Sequence, residues 1–374
     1  MSSTAPAPKP LRPPLAYQAS FEKPEEDEEQ TAQELVATMR SISETTLKDS
    51  GHATRSVHAK SHGLIEGELR VLDGLPFELA QGIFATAGNY PVVMRFSTIP
   101  GDLLDDNVST PRGLAIKIIG VEGERLPGAE GTTQDLVLVN GPAFAAPTAK
   151  GFLKNLKQLA ATTDKAPGLK QALSATLQAA EKVVEAFGGK SGKLISMGGH
   201  PETNVLGETY FTQAPLLHGQ YVAKLSVAPV SKELVALTNA KVDLDDKPNG
   251  LRDAVVDFFR THGGEWEVRT QLCRDLDSMP IEDSSVPWPE DESPYIAVAR
   301  IVAKPQTAWS AARSAAVDDG LMFSPWHGIA AHRPIGSVMR VRKIAYEMGR
   351  SFRSNHNRVS IEEPGRDFRL PDQP

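Results

Sequence analysis

The sequence has few of the features that place a protein in a class at once. Of its 374 residues only one is a cysteine, Cys273, so no disulfide can form within the chain, as is typical of a reducing compartment. The formal net charge of −7 argues against a general attraction to nucleic acid or to an anionic membrane. No apolar run approaches the roughly 20 residues of a membrane span, and the first residues lack the apolar core of a signal peptide. These absences predict a cytoplasmic protein with no membrane span and no nucleic-acid partner.

The short motifs of the common hydrolases are missing as well. The chain has no HExxH, no paired CxxC and no nucleophile elbow, so the sequence does not support a zinc hydrolase or a serine hydrolase. One histidine pair is present instead: His58 and His62, in RSVHAKSHG at residues 55–63, are four residues apart. That spacing would suit a zinc-binding helix face, a solvated turn or the wall of an active site, and by itself it does not decide among them.

Hydrophobic residues make up 40% of the chain, which is enough for a sizeable core. Residues 1–30 are rich in proline and then acidic, so we expect them to form a flexible arm. Such an arm could lie on a partner subunit, which makes a homo-oligomer possible. Residues 31–374 are expected to form one domain, beginning with a helix over residues 31–48.

From residue 55 the pattern changes to short strands separated by turn residues. This order favours an antiparallel sheet or barrel over alternating strands and helices. A helical insertion is predicted at about residues 148–188, and a last helix over residues 337–353. The expected fold is therefore α+β, an antiparallel barrel with surrounding helices. The predicted strands lie in GLIEGELRVL (63–72), PVVMRFST (91–98), RGLAIKIIGV (112–121), QDLVLVNGPAF (134–144), YVAKLSVAPV (221–230), WEVRTQLC (266–273) and PYIAVARIVA (294–303).

The last predicted helix carries a chemically informative pair. Arg342 and Tyr346 are four residues apart, so they share a helix face and can touch. An arginine held against a tyrosine oxygen favours the phenolate, which is a good ligand for ferric iron. Arg353 falls on nearly the same face two turns later, where it could hold a carboxylate or a propionate. The alternative is an ordinary surface helix with a buried tyrosine and several solvated arginines.

The two ends of the chain together carry five motifs in the order and rough spacing of the catalase superfamily. This chain resembles that family, and most closely its shorter catalase-related branch, which includes peroxidase-like and fatty-acid-hydroperoxide-metabolising members. The resemblance covers roughly residues 50–355. The motifs are RSVHAK (55–60), RFST (95–98), TPRGLAIKI (110–118), DLVLVNGPAF (135–144) and RKIAY (342–346).

The resemblance implies a b-type haem, with Tyr346 as the axial ligand of the iron and Arg342 supporting it. His58 would be the distal histidine, which takes and returns a proton of the peroxide. Asn140 would orient the peroxide through a hydrogen bond, although VNGP is also a good turn sequence. The other implied residues are Ser97, which fixes the His58 ring; Val57, which presses on the haem plane; Phe144 on the distal side; and Arg55, Arg95 and Arg353, which hold the propionates.

The activity implied is decomposition of hydrogen peroxide or of organic and lipid hydroperoxides, by a catalase or a peroxidase reaction. Two alternatives remain: conversion of fatty-acid hydroperoxides to allene oxides or cleavage products, and a haem-binding protein without turnover. Val57 weighs against the first, because the allene-oxide-forming relatives carry a hydroxyl residue beside the distal histidine. Ala145 follows Phe144 where the family commonly has a second phenylalanine, so we expect a wider pocket that favours organic hydroperoxides.

Overall fold

The computed structural model describes residues 10–160 and 200–372. Within these ranges the chain forms nine β-strands, all paired antiparallel, and six α-helices. The strands are β1 Ser61–Val71, β2 Asn89–Thr98, β3 Arg112–Ile119, β4 Thr133–Val139, β5 Tyr210–Phe211, β6 Leu216–His218, β7 Tyr221–Pro229, β8 Gly264–Leu272 and β9 Ile296–Ala303.

Eight of these strands close into a barrel. The strand order runs β5-β4-β3-β2-β1-β9-β8-β7, and the ring closes because β5 also pairs with β7. Tyr210 lies opposite Val227 in that closing pair, and Phe211 lies opposite Ser226. Strand β6 pairs with β7 outside the ring, as the other arm of a hairpin.

The strand sequences are apolar on both sides because both sides of the barrel wall are covered. Side chains alternate between the two faces of a strand. In β3, Leu114 and Ile116 belong to the main core, whereas Ala115 packs into a separate outer cluster. The barrel interior is filled by side chains, so it is a packed core rather than a channel. Its ring contacts include those of Phe96 with Tyr210 and Trp266.

Three helices outside the barrel pack against one another. Helices α1, α2 and α6 share a cluster of buried apolar side chains, to which Leu35, Leu153 and Val341 each contribute. Burying a leucine or valine side chain contributes roughly 1.5–3 kcal/mol, so this cluster fixes the position of α6. The helices are α1 Glu28–Ser50, α2 Ala149–Ala160, α3 Lys232–Val235, α4 Gly250–Thr261, α5 Ala311–Ser314 and α6 Ser337–Asn357, and a π-helical turn, Ala315–Asp319, follows α5.

The predicted α+β fold, an antiparallel barrel with surrounding helices, is confirmed. Each of the seven predicted strand segments contains a strand, and the predicted first and last helices are α1 and α6. The sequence analysis missed the short strands β5 and β6 and the helix α4. Helix α4 does carry a helical signal, since Leu251, Val255 and Phe259 recur every four residues and are buried.

The expected arm of residues 1–30 is described from residue 10. Leu15 and Tyr17 pack against a cluster that includes Val222 of β7, and Leu15 donates its amide to the carbonyl of Cys273. Of the expected insertion at 148–188, the described part is helix α2, and the rest lies outside the described residues. In the described ranges no helix combines the length and apolar character needed to cross a lipid bilayer.

Candidate functional site

A strained turn places His58 outside the barrel, between α1 and β1. The φ angle of His58 is 57°, in the left-handed region that a non-glycine residue seldom occupies. Hydrogen bonds on both sides hold the turn: the His58 amide donates to the carbonyl of Ile99 at 2.7 Å, and its carbonyl accepts from Nη2 of Arg95 at 2.8 Å. Strain that is held this firmly is typical of a functional position.

The His58 ring lies close to strand β3, where Gly113 makes room for it. A Cβ atom at Gly113 would come within 2.5 Å of two atoms of the ring. On β2, the Oγ of Ser97 is 3.1 Å from Nδ1 of His58, so the ring is fixed through this nitrogen and Nε2 is left for other partners. Ser97 therefore has the contact that the resemblance implies, and Gly113 is a positioning residue that the sequence analysis did not single out.

His58 is deep in the protein yet keeps part of its surface accessible, as a side chain that faces an internal space does. Burial, together with the positive charges of Arg95, Arg342 and Arg55, lowers its pKa to about 3. The imidazole is therefore neutral at pH 7, the form that accepts a proton. Val57, next to His58, packs against the cluster that contains Val341 and Ala345 of α6, so the His58 turn and helix α6 are neighbours.

The Arg342–Tyr346 pair on α6 has the predicted contact. Nη2 of Arg342 donates to the Tyr346 hydroxyl oxygen at 2.6 Å, and both side chains are half-buried. Arg353 lies seven residues after Tyr346, and 3.6 residues per turn bring it to nearly the same face. Val341 and Ala345, on another face of α6, pack into the cluster shared with α1 and α2 and so set the rotation of the helix.

The three arginines implied as propionate ligands lie together, around Asp318 of the π-helical turn. Nε of Arg95 donates to Oδ1 of Asp318 at 2.6 Å. Arg55 and Arg353 both donate to the backbone carbonyl of Asp318, at 2.7 and 2.6 Å, and both also donate to the carbonyl of Leu321. Each of the two carbonyls therefore has two guanidinium donors. We refer to Arg55, Arg95 and Arg353 as the arginine cluster.

The arginine cluster carries more positive charge than its surroundings neutralise. The carboxylates that act on Arg55 and Arg353 are Asp318 and Asp319, two against three guanidinium groups. Burial and repulsion from Arg95 together lower the pKa of Arg353 to about 10. Burial alone would raise the pKa of Asp318, but Arg95 and Arg55 more than offset it, so this carboxylate stays ionised.

Asn140 has partners on both sides of its amide. Its Oδ1 accepts from the backbone amide of Arg112 at 2.7 Å, and its Nδ2 lies 2.7 Å from Nε2 of His200. Nδ1 of His200 is 2.7 Å from the carbonyl of Pro201, so Nδ1 carries the hydrogen and Nε2 accepts from Asn140. One hydrogen on Nδ2 remains for another acceptor. Sequence reasoning missed His200, because a lone histidine in GGHPE belongs to no motif.

The remaining predicted residues lie in the His58 turn, in the segment between β4 and α2, and on strand β1. Val57 packs against the cluster shared by α1, α2 and α6. The ring of Phe144 lies 5.0 Å from that of Phe152 in α2, and the neighbouring Ala145 is exposed. His62 is on strand β1, with Nε2 3.2 Å from the Thr98 hydroxyl, so it does not share a helix face with His58. In the described residues no three His, Cys, Asp or Glu side chains are grouped to hold a metal ion.

The donor set fits a haem. A tyrosine oxygen backed by an arginine suits ferric iron, and a positively charged cluster suits two propionates. A neutral histidine with one free ring nitrogen faces the same region. The fit rests on Tyr346, His58 and the arginine cluster together.

Comparison with known proteins gives structural neighbours only. No family model matches the chain, and no curated protein matches it. Among solved structures it is similar to a fungal catalase (17% identity, TM-score 0.58, covering 83% of this chain and 62% of that one). Catalase A from Saccharomyces cerevisiae (17%, 0.58, 83% and 64%) and a bacterial catalase (15%, 0.55, 83% and 60%) are also similar. The chain has the fold of these catalases and spans about three fifths of their length.

Proposed function

We propose that the protein is a haem-dependent enzyme that decomposes hydroperoxides. The observation that carries the proposal is that the Arg342–Tyr346 pair and the His58–Ser97 pair lie on neighbouring elements, beside the arginine cluster. Arg95 of that cluster donates to the His58 carbonyl. A catalase fold alone would not establish this activity, because one fold hosts many functions. The arrangement of an iron ligand, a proton acceptor and an anion cluster supports this particular chemistry.

Each residue has a definite task in the proposed reaction. Bound haem would supply the ferric iron against which the O–O bond is cleaved. Tyr346 would hold the iron, and Arg342 would keep its oxygen electron-rich. The arginine cluster would hold the propionates.

His58 moves the proton. Its Nε2 would take the proton from the hydroperoxide oxygen that carries it and return it to the other oxygen of the O–O bond. That second oxygen would then leave as water or an alcohol. Ser97 and Gly113 keep the ring in position for both transfers. Asn140 would donate its remaining Nδ2 hydrogen to the hydroperoxide while His200 holds the amide in place.

The haem ligand is tested with Tyr346→Phe, with Tyr90→Phe as the control. After reconstitution with hemin, the parent and the control should retain haem with the same Soret band. Tyr346→Phe should lose haem on gel filtration or shift the band. An unchanged spectrum and retention in Tyr346→Phe would rule out Tyr346 as the ligand.

The proton carrier is tested with His58→Ala, with the exposed His262→Ala as the control. His58→Ala should keep haem and lose about 10²-fold or more of hydroperoxide turnover, because positioned acid–base groups contribute roughly 10²–10⁴. Turnover at the parent rate in a haem-loaded His58→Ala protein would show that His58 does not carry the proton.

The breadth of the substrate entrance is tested at Ala145. We propose that the small residue beside Phe144 leaves room for organic hydroperoxides. Ala145→Phe should slow cumene hydroperoxide more than hydrogen peroxide, since the added ring excludes the larger molecule. An unchanged ratio of the two kcat/KM values would show that Ala145 does not border the substrate path.

A further inference from the structure

A cavity lies against helix α6, on a different face of the helix from Tyr346. It has a volume of about 260 Å³ and is lined on α6 by Lys343, Glu347, Arg350 and Ser351. At 100° per residue these positions lie roughly 100° around the helix from Arg342 and Tyr346. We call this space the α6 cavity. It is smaller than the roughly 300–1,000 Å³ of sites for drug-sized ligands, so it suits a single-ring molecule.

The walls of the α6 cavity combine an aromatic ring with a net positive charge, because Lys343 and Arg350 outnumber the one carboxylate of the lining, Glu347. Trp326 and Met322 supply the apolar part of the lining. Nζ of Lys343 lies 5.9 Å from the centre of the Trp326 ring. Across residues 10–160 and 200–372, Lys343 has no carboxylate within 4 Å, and Arg350 has one, the exposed Glu130 at 3.9 Å. An aromatic ring bearing an anionic group matches these walls.

His327 adds a hydrogen-bond acceptor to the lining. The Thr133 hydroxyl donates to Oε2 of Glu363 at 2.6 Å, so its own lone pair accepts from Nε2 of His327 at 2.8 Å. Burial and the charge of Lys117 lower the pKa of His327 to about 4, so the ring is neutral and Nδ1 keeps its lone pair. A phenolic hydroxyl group could donate to this nitrogen.

A chain of contacts joins the α6 cavity to the proposed iron ligand. Nε1 of Trp326 donates to the carbonyl of Met339 at 2.6 Å. The sulfur of Met339 lies 3.4 Å from Nη1 of Arg342, whose Nη2 donates to Tyr346. Trp326 therefore both lines the cavity and connects through these contacts to Tyr346.

We infer that the α6 cavity binds a small phenolic carboxylate as electron donor, and that Trp326 passes its electron towards Tyr346. This inference rests on the proposed function, which supplies the hydroperoxide as oxidant. Two donor molecules each lose one electron and the phenolic proton. The two electrons and two protons convert one hydroperoxide into an alcohol, or water, and a second water. Each donor leaves as a phenoxyl radical.

Binding is tested by calorimetric titration with ferulate, a single-ring phenol with a carboxylate. The parent should bind it, and Lys343→Gln and Arg350→Gln should each weaken binding about tenfold, as expected for loss of a charged hydrogen-bond partner. The control Lys154→Gln, on the surface of α2, should bind as the parent does. Failure of the parent to bind, or equal binding by all three variants, would overturn the site.

The binding result separates this inference from the proposed function. Tyr346→Phe should bind ferulate as the parent does, because the cavity is on a different face of α6. Loss of ferulate binding in a folded Tyr346→Phe protein would place the donor at the haem site and overturn the inference. If ferulate binds the α6 cavity but hydroperoxide is not consumed, the proposed function fails and the binding site stands.

Electron entry is tested with hydrogen peroxide, which the proposed enzyme can also consume by dismutation without a donor. The measured quantity is the amount of ferulate oxidised per hydrogen peroxide consumed. In Trp326→Phe this ratio should fall about tenfold or more relative to the parent, while Lys154→Gln keeps the parent ratio. The ratio is normalised to hydroperoxide turnover, so a general loss of activity does not mimic the effect. An unchanged ratio in Trp326→Phe would show that the electron does not pass through this residue.

Discussion

Two of the buried charge clusters outside the barrel differ in the charges that meet at their centres. The arginine cluster sets three guanidinium groups against two carboxylates. The other cluster, which we call the lysine cluster, sets one ammonium group, Lys117, between Asp135 at 2.7 Å and Glu363 at 2.6 Å, with the half-buried Arg125 nearby. Phe323 separates the two, with Arg55 5.9 Å and Lys117 5.5 Å from its ring centre.

The difference lies in how each imbalance can be relieved. An excess carboxylate can take up a proton, and burial raises the pKa of Asp135 in the coupled pair, with the charge of Glu363 adding to the effect. An arginine does not lose its proton in a protein. Excess guanidinium charge is therefore relieved by an anion, such as the propionates of the proposed haem. The lysine cluster is complete as a structural element, whereas the arginine cluster is suited to a ligand.

The largest expected effect is at Lys117. Lys117→Met leaves two facing carboxylates buried, and breaking a buried ion pair from one side costs about 3–5 kcal/mol. We expect a drop of this size in the free energy of unfolding of the haem-free protein, measured by urea denaturation. A loss below about 1 kcal/mol would show that the lysine cluster does not need its cation.

Arg353→Met should behave differently. Arg55 still donates to the carbonyls of Asp318 and Leu321 in this variant, so we expect the haem-free protein to lose less than about 1 kcal/mol. Haem retention should weaken by about tenfold or more, because a charged partner of a propionate is lost. Equal loss of stability in Arg353→Met and Lys117→Met would remove the distinction between the clusters.

The contrast between Lys117 and Arg353 depends on contacts that the sequence predicted only in part. The barrel strands, helix α6 and the contacts of Tyr346 and Ser97 follow from spacing and resemblance. Asp318 was not anticipated, because its place among the arginines depends on a π-helical turn more than 200 residues from Arg55 and Arg95. His200 and Glu363 were missed for the same reason. Their partners are distant in the sequence, so no local pattern indicates these contacts.

The pH dependence of stability gives a smaller test. The folded pKa of Asp135, about 7, is above its usual 3.8, so its contribution to stability is complete at low pH and is lost as pH rises towards 7. Glu363, with a lowered pKa, contributes the opposite trend, but only below about pH 4.5. Between pH 5 and 7.5 the parent should lose stability relative to Asp135→Asn, by about 2 kcal/mol. Parallel curves for the two proteins would contradict the raised pKa.

The smallest effect is expected at Phe323. Phe323→Leu removes the ring between Arg55 and Lys117 but keeps an apolar side chain, so we expect a loss of about 1 kcal/mol from the two cation–ring contacts. Thermal unfolding of the haem-free variant measures it. A loss as large as that of Lys117→Met would mean that the ring, rather than the carboxylates, neutralises the lysine.

The position of Glu363 in the chain has a consequence for how the protein assembles. Glu363 follows Lys117 by 246 residues, so during synthesis it reaches the barrel wall after Lys117 and Asp135. Until then Lys117 and Asp135 form a balanced pair of one cation and one anion. Arrival of the second carboxylate upsets that balance, and Asp135 binds hydrogen ions more tightly as a result. Docking of the last segment is thus linked to proton uptake, and mild acidity favours the closing step of folding.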